Sequence, residues 1–184
     1  VKTIFLQFDN TTVRTNQDIF DILNEKYSLN NDYKVSKQEM IEIFEKDEFF
    51  QKLQLQPGVL DVLTKYSKMY DIFIIAYGSI ISLQKMITWI HSQLPSGVKF
   101  LGLETTEYDP RIINMEGCIQ ISNDIHNLNS NAQIKILYTG LNEFPCIQTN
   151  VCNDILVVNA WDEIDAILDF YFKYDYKTLE NSKY

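Results

Sequence analysis

Three short polar stretches, each closing an apolar run, hold the residues able to do chemistry. They are Gln7 to Thr12, Ala76 to Ser79, and Ser122 to Asp124. Asp9 is a carboxyl group in a turn after a β-rich run. There it can act as an acid, or accept hydrogen bonds from the backbone that follows. Histidine and thiolate chemistry is poorly supplied. His91 and His126 are the only histidines, which excludes a multi-histidine metal centre. Cys118, Cys146 and Cys152 are odd in number and lack a C-x-x-C spacing. That argues against a disulfide framework and a structural zinc site, and the three read as buried small hydrophobes.

Positioning these stretches takes strands and helices in alternation. Thr3 to Phe8 is short, apolar and β-rich, and Asp71 to Tyr77 is a nearly continuous apolar run bounded by polar residues. The second reads as a strand covered on both faces. Shorter strand candidates lie at 98–103, 117–121, 134–138 and 155–158. Between them the apolar residues recur at helical spacing. Ile19, Phe20, Ile22 and Leu23 share a face, and Ser36-Lys37-Gln38-Glu39 is a capping box leading into Met40, Ile41, Phe44 and Phe49. After Pro57-Gly58 come Val59, Leu60, Leu63 and Tyr66, and after Gly78-Ser79 come Leu83, Met86, Ile87, Ile90 and Leu94. A last helix carries Trp161, Ile164, Ile167, Leu168 and Tyr171 before a polar tail. The alternation predicts βαβ units and a parallel sheet with helices on both faces. In such a sheet ligands bind at the carboxyl ends of the strands, where the three polar stretches lie. The span 15–55 is too long for one crossover and reads as a helical cap inserted after the first strand. The expected organisation is a core of 1–13 and 56–174, a cap of 14–55, and a tail of 175–184.

Composition sets the outer bounds. The chain has 184 residues, 46% hydrophobic and 22% charged, which is ordinary for a single globular domain. Its 16 basic and 25 acidic residues leave a formal charge of −9. Such a surface repels nucleic-acid polymers and anionic membranes. No stretch reaches transmembrane length, and the first apolar run is too short for a signal peptide. The expectation is a soluble, cytoplasmic protein. The acidic clusters at 42–48 and 162–169 read as solvated helix faces.

Several stretches, taken in order, resemble a known family. Ile4-Phe5-Leu6-Gln7-Phe8-Asp9-Asn10-Thr11 is similar to a strand ending in Asp-x-Asp-Gly-Val/Thr. Glu48-Phe49-Phe50 through Pro57-Gly58-Val59 is similar to an "FF…L…PGA" approach to the second strand. Tyr70 to Ala76, followed by a helix with Trp89, resembles the second motif, and Asn159-Ala160-Trp161-Asp162-Glu163-Ile164 resembles a closing "N-S-W-E-E-I". The pattern is that of the small 5'(3')-deoxyribonucleotidases of the haloacid dehalogenase (HAD) superfamily. The resemblance implies an α/β fold: a HAD-like doubly wound, Rossmann-like parallel sheet with a small helical cap insertion.

It also implies a chemistry that this chain departs from. The family's first aspartate attacks phosphorus, the second acts as acid and base, a hydroxyl and a lysine hold the phosphoryl oxygens, and further aspartates hold Mg²⁺. Here the nucleophile position is Gln7, whose neutral amide oxygen is a poor nucleophile. Asp9 keeps the acid/base position, and the usual Gly is Asn10. The hydroxyl position is Ala76, with Ser79 nearby. The late acidic pair aligns to Ser122 and Asn123, leaving Asp124 one residue late. The lysine has no clear counterpart, Arg111 being the nearest basic residue.

The resemblance therefore implies a catalytically degenerate, nucleotidase-like protein that acts by binding a nucleoside monophosphate or a protein partner. No cofactor is expected. The alternative is an active Mg²⁺-dependent 5'(3')-deoxyribonucleotidase with a rearranged site, in which Asp9 and Asp124 hold the metal. Candidate ligand-binding residues are Gln7, Asn10, Tyr77, Ser79 and Arg111. Each also has a plainer reading. Gln7 can bind a ligand amide or ribose, or fill a disused pocket. Phe49, Phe50 and Tyr77 can stack on a base, but aromatics at helical spacing usually belong to the core. Arg111, beside Asp109-Pro110, can simply sit in a turn, and His126 can be an exposed loop residue.

Overall fold

A computed structural model describes residues 3–27, 36–105, 107, 109–140 and 154–181. Cys146 and Cys152 lie outside them, so the reading of these two as buried hydrophobes concerns residues that are not described. The first apolar run forms β1 (Thr3–Gln7), buried from Ile4 onward. The long second run forms β2 (Asp71–Gly78). The shorter runs form β3 (Val98–Glu104), β4 (Ile119–Ser122), β5 (Ile134–Tyr138) and β6 (Ile155–Val158). All six lie in one parallel sheet in the order β3-β2-β1-β4-β5-β6. From the central β1 the chain moves outward to β2 and β3, then crosses back to β4 and continues to β5 and β6. That reversal is the doubly wound pattern, and its switch point lies between β1 and β4.

Among the described residues, six α-helices accompany the strands. They are α1 (Thr15–Tyr27), α2 (Lys37–Phe44), α3 (Asp47–Lys52), α4 (Val59–Tyr66), α5 (Ile80–Gln93) and α6 (Trp161–Asn181). The first three fill the span between β1 and α4. α2 begins with the expected capping box: Ser36 Oγ accepts from the Glu39 N–H, and Glu39 Oε2 accepts from the Ser36 N–H. The single helix expected through Phe44 and Phe49 is broken at Glu45-Lys46. In an unbroken helix these two side chains would point about 140° apart. With the break they meet at 4.9 Å between ring centroids and share a cluster with Phe50. α6 also differs from expectation, continuing to Asn181 past the tail boundary set at 175.

The two faces of the sheet are covered differently. Ile4 and Leu6 of β1 and Ile72, Ile74 and Ala76 of β2 face a large core that all six helices join, with Trp89, Trp161 and Ile164 in it. Phe5 and Ile75 face a smaller cluster with Met115 and Ala132. Helices were expected on this face too. Among the described residues, the crossings from β3 to β4 and from β4 to β5 carry only short 3₁₀ turns at Pro110–Ile112 and Ile125–Asn127. The physical reason is length: the β4–β5 crossing has too few residues for a helix of several turns plus its connections. One close approach fixes the far end of the chain. The Trp161 indole N–H donates to the Thr11 carbonyl at 3.1 Å. Gly58, at φ +86°, lies so near that a Cβ there would be 3.0 Å from the Trp161 Cβ.

Candidate functional site

The turn after β1 is built from its own polar side chains. Phe8 N–H still bonds to Ile75 C=O at 2.8 Å, so the strand's last residues stay in register with β2. The chain then turns sharply at Asn10, which takes φ +52°. This is the place where the resemblance expects Gly, and Asn is the side chain that tolerates the left-handed region best. Asn10 Oδ1 accepts from the Asn16 N–H at 2.9 Å, and Thr12 Oγ1 donates to the Gln7 carbonyl at 2.7 Å.

Gln7 and Asp9 emerge from this turn with unusual surroundings. Gln7 is 3% exposed, and its Oε1 has no hydrogen-bond partner among the described residues. A buried polar atom left unpaired is costly and uncommon. Asp9 Oδ1 accepts from Thr15 Oγ1 at 2.8 Å, at the start of α1. Burial nonetheless pushes the Asp9 carboxyl up to about 6, the Thr15 hydrogen bond opposing only in part. A group so placed exchanges its proton near neutrality.

The other two stretches converge on the same edge. Side chains alternate along a strand, so Tyr77 shares the face of Ile75, the register partner of Gln7. Ala76 points the other way, into the large core, and is fully buried. Tyr77 is therefore the last residue of β2 on Gln7's face, and Ala76 presents nothing polar to it. The Tyr77 hydroxyl titrates above its usual range because of burial, and because the charges of Asp9 and Asp124 both reach it. Ser79 caps α5: its Oγ accepts from the Ser82 N–H at 3.3 Å and donates to Glu45 Oε1 at 2.8 Å.

After β4, Ser122 is fully buried and its Oγ accepts from the Asp124 N–H at 3.1 Å. The Asn123 N–H donates to Thr11 Oγ1 at 2.8 Å, which ties this loop to the one after β1. Asp124 Oδ1 accepts from the His126 N–H at 2.9 Å and so caps a 3₁₀ turn, leaving His126 exposed. Arg111 stands apart. It is exposed, sits in the other 3₁₀ turn, and is held bidentate by Asp109. Phe49 is 1% exposed and packs in the core.

Thr11 and Glu45 belong to this edge and were not singled out in the sequence. Thr11 looks like any turn threonine, and its partner is 112 residues away. Glu45 sits in an acidic cluster read as solvated. Two clefts, of about 730 Å³ between α3 and α5 and about 450 Å³ among α1, α2 and α3, include none of the three polar stretches.

Whether the edge suits Mg²⁺ can be judged from its donors. A hard dication wants several anionic oxygens together. Gln7 offers a neutral amide, and Asp9 and Asp124 each already accept from a neighbour in the following turn. Among the described residues no three His, Cys, Asp or Glu side chains gather as a metal site requires. The residues present do not fit the ion.

The sequence matches no protein-family model and no curated protein. Solved structures do match in fold. A dehalogenase with an intermediate complex superposes with a TM-score of 0.62 at 14% identity, covering 91% of this chain and 96% of that one. A HAD-superfamily hydrolase of subfamily IA from Geobacter sulfurreducens gives 0.57 at 9% identity, covering 91% and 96%. A HAD hydrolase from Bacillus subtilis, bound to magnesium, gives 0.57 at 12%, covering 91% and 98%. At these identities the likeness is one of architecture: the chain has the α/β fold of the haloacid dehalogenase-like hydrolases.

Proposed function

We propose that this chain is a catalytically lapsed, 5'(3')-deoxyribonucleotidase-like protein that acts by binding at the carboxyl edge of its sheet. One observation carries the reading. The residue closing β1, where the resemblance places the attacking carboxylate, is Gln7, buried and uncharged. An amide oxygen has neither the charge nor the basicity to displace an alkoxide from phosphorus, and loss of a nucleophile alone lowers rates by orders of magnitude. The ligand in this reading is a nucleoside monophosphate or a protein partner. A thermal shift with nucleoside monophosphates that needs no Mg²⁺ marks the first.

A second reading, a working phosphomonoesterase with a rearranged site, has one observation in its favour. Asp9 titrates at about 6, which suits a general acid and base. Phosphate release from a panel of deoxyribonucleoside monophosphates, with Mg²⁺ present, separates the two. The expected result is no turnover by the natural chain. Turnover that disappears in Asp9→Asn would sink the lapsed-site reading.

A further inference from the structure

α5 departs from the rest of the chain in its charge. The protein carries 25 acidic residues and a formal charge of −9, yet none of the 14 residues of α5 is Asp or Glu. Its solvent side is apolar and neutral instead. Ile80 and Ile81, side by side at the start of the helix, are each 52% exposed, and Gln84, Thr88 and Ser92 follow them on the exposed side. Next to this ridge runs the cleft of about 730 Å³ between α3 and α5. Phe50, Leu53 and Trp89 are its less exposed apolar lining, and Gln51, Gln84 and Gln93 bring exposed amides to its rim. Among the described residues that line it, Asp47 and Lys85 alone are charged, and they pair with each other. Ridge and cleft together make a strip without net charge on an acidic molecule.

That neutrality decides what covers the strip. A basic partner gains more where exposed apolar residues have carboxylates next in sequence, as Ile41 has Glu42 and Leu60 has Asp61. A second copy of a chain at −9 has the opposite requirement, because an acidic face repels it and an uncharged one does not. The chemistry of the strip is also complementary to itself, as a two-fold contact demands. A side-chain amide both donates and accepts, so it can bond to its own counterpart. The Gln51 and Gln84 side chains have no hydrogen-bond partner among the described residues, which leaves them available for this. The isoleucine ridge stands beside an apolar cleft, so each copy brings what the other's cleft lacks. α5 runs for about 21 Å, which spans much of the breadth of a contact patch of about 800 Å².

We propose that α5 and the α3–α5 cleft form the interface of a two-fold homodimer, with Ile80 and Ile81 of each protomer seated against the apolar cleft of the other. The cleft includes none of the three polar stretches, so this goes beyond the reading of the carboxyl edge as a binding site.

Sedimentation equilibrium of the full chain, from micromolar to near-millimolar and in low and high sodium chloride, reads the association directly. The average mass is expected to rise with concentration toward twice that of one chain and no further. Salt screens the repulsion between two acidic molecules, so dimerisation is expected to strengthen as sodium chloride is added. Ile81→Glu sets a carboxylate on the strip of each protomer and is expected to weaken association about tenfold or more. An acid in the first turn of a helix is favourable, so the variant keeps its fold, which near-ultraviolet circular dichroism checks. Gln84→Glu, at an exposed position one turn on, is the second variant and is expected to act in the same direction. Ile112→Glu alters a residue 60% exposed on the β3–β4 crossing and is expected to leave association unchanged.

The proposal is overturned by a chain that stays monomeric throughout, which gives the strip to another kind of partner. Growth past the dimer, or association that weakens with salt as an ion-paired contact does, also overturns it. So does association at natural strength in both Ile81→Glu and Gln84→Glu, or its loss in Ile112→Glu. None of these results bears on ligand binding or turnover at the carboxyl edge.

Discussion

Asp9 carries the clearest thermodynamic signature of any single residue. Its carboxyl goes from an ordinary 3.8 to about 6 in the folded protein. The folded chain therefore binds more protons than the unfolded one between about pH 4 and 6. Stability falls as pH rises through that window, and the loss is complete above it. Asp9→Asn removes the penalty and can still accept from Thr15. It is expected to raise the melting temperature at pH 7 and to flatten the slope between pH 4 and 6. The gain is on the order of 1–2 kcal/mol, discounted from the full shift because Asp9 is partly exposed. Thermal melts at several pH values check this; a lower melting temperature at pH 7 would contradict it. A charge kept where it weakens the fold is what a working site looks like. Asp9 was legible from its place after an apolar run, and Gln7 from the motif it interrupts. The orphaned state of Gln7 was not, because it depends on what the neighbouring strands and loops fail to supply.

Among elements, the helical insertion and α5 are held together by polar contacts that no local pattern announces. Ser79 at the start of α5 donates to Glu45 at the end of α2, and Lys85 of α5 pairs with Asp47 of α3. Ser79→Ala removes both a helix cap and this link, and is expected to destabilise by about 1–2 kcal/mol. Glu45→Ala removes the link alone. A double-mutant cycle by urea denaturation should return a coupling of about 0.5 kcal/mol or more between the two; strict additivity would mean the contact contributes nothing. The capping box of α2 was legible because its residues are three apart. The break between α2 and α3 was not. Helical spacing allowed one continuous helix, and only the packing of Phe44 against Phe49 and Phe50 decides against it.

For the molecule as a whole, the sheet order sets where the three polar stretches meet. β1 and β4 are neighbours although more than a hundred residues separate them, so Thr11 can hold Asn123. The strand runs and their alternation with helices were readable, hence the fold. The short 3₁₀ turns of the β3–β4 and β4–β5 crossings were not, since a crossing without helical periodicity says little about what it will cover. The contact between the two ends of the core has a sharp test in Gly58. An alanine there must take φ +86° and meet the Trp161 Cβ at 3.0 Å. Gly58→Ala is expected to lose roughly 1–3 kcal/mol in urea denaturation. Gly117→Ala, at φ +71° with nothing within 4 Å, bears the backbone strain alone and should lose less. Equal losses would show that the Trp161 approach is soft.

The path into and out of the helical insertion has one more consequence. The chain leaves the core through Val13 and returns through Leu55, two residues bridged side by side in antiparallel sense, and the Gln56 N–H bonds to the Thr12 carbonyl at 2.9 Å. Entry and exit are thus a single doorway. The helix-to-helix connections behind it can change length without moving either post, while the side chains that face the sheet, Ile19 and Phe49 among them, stay tied to the core beneath.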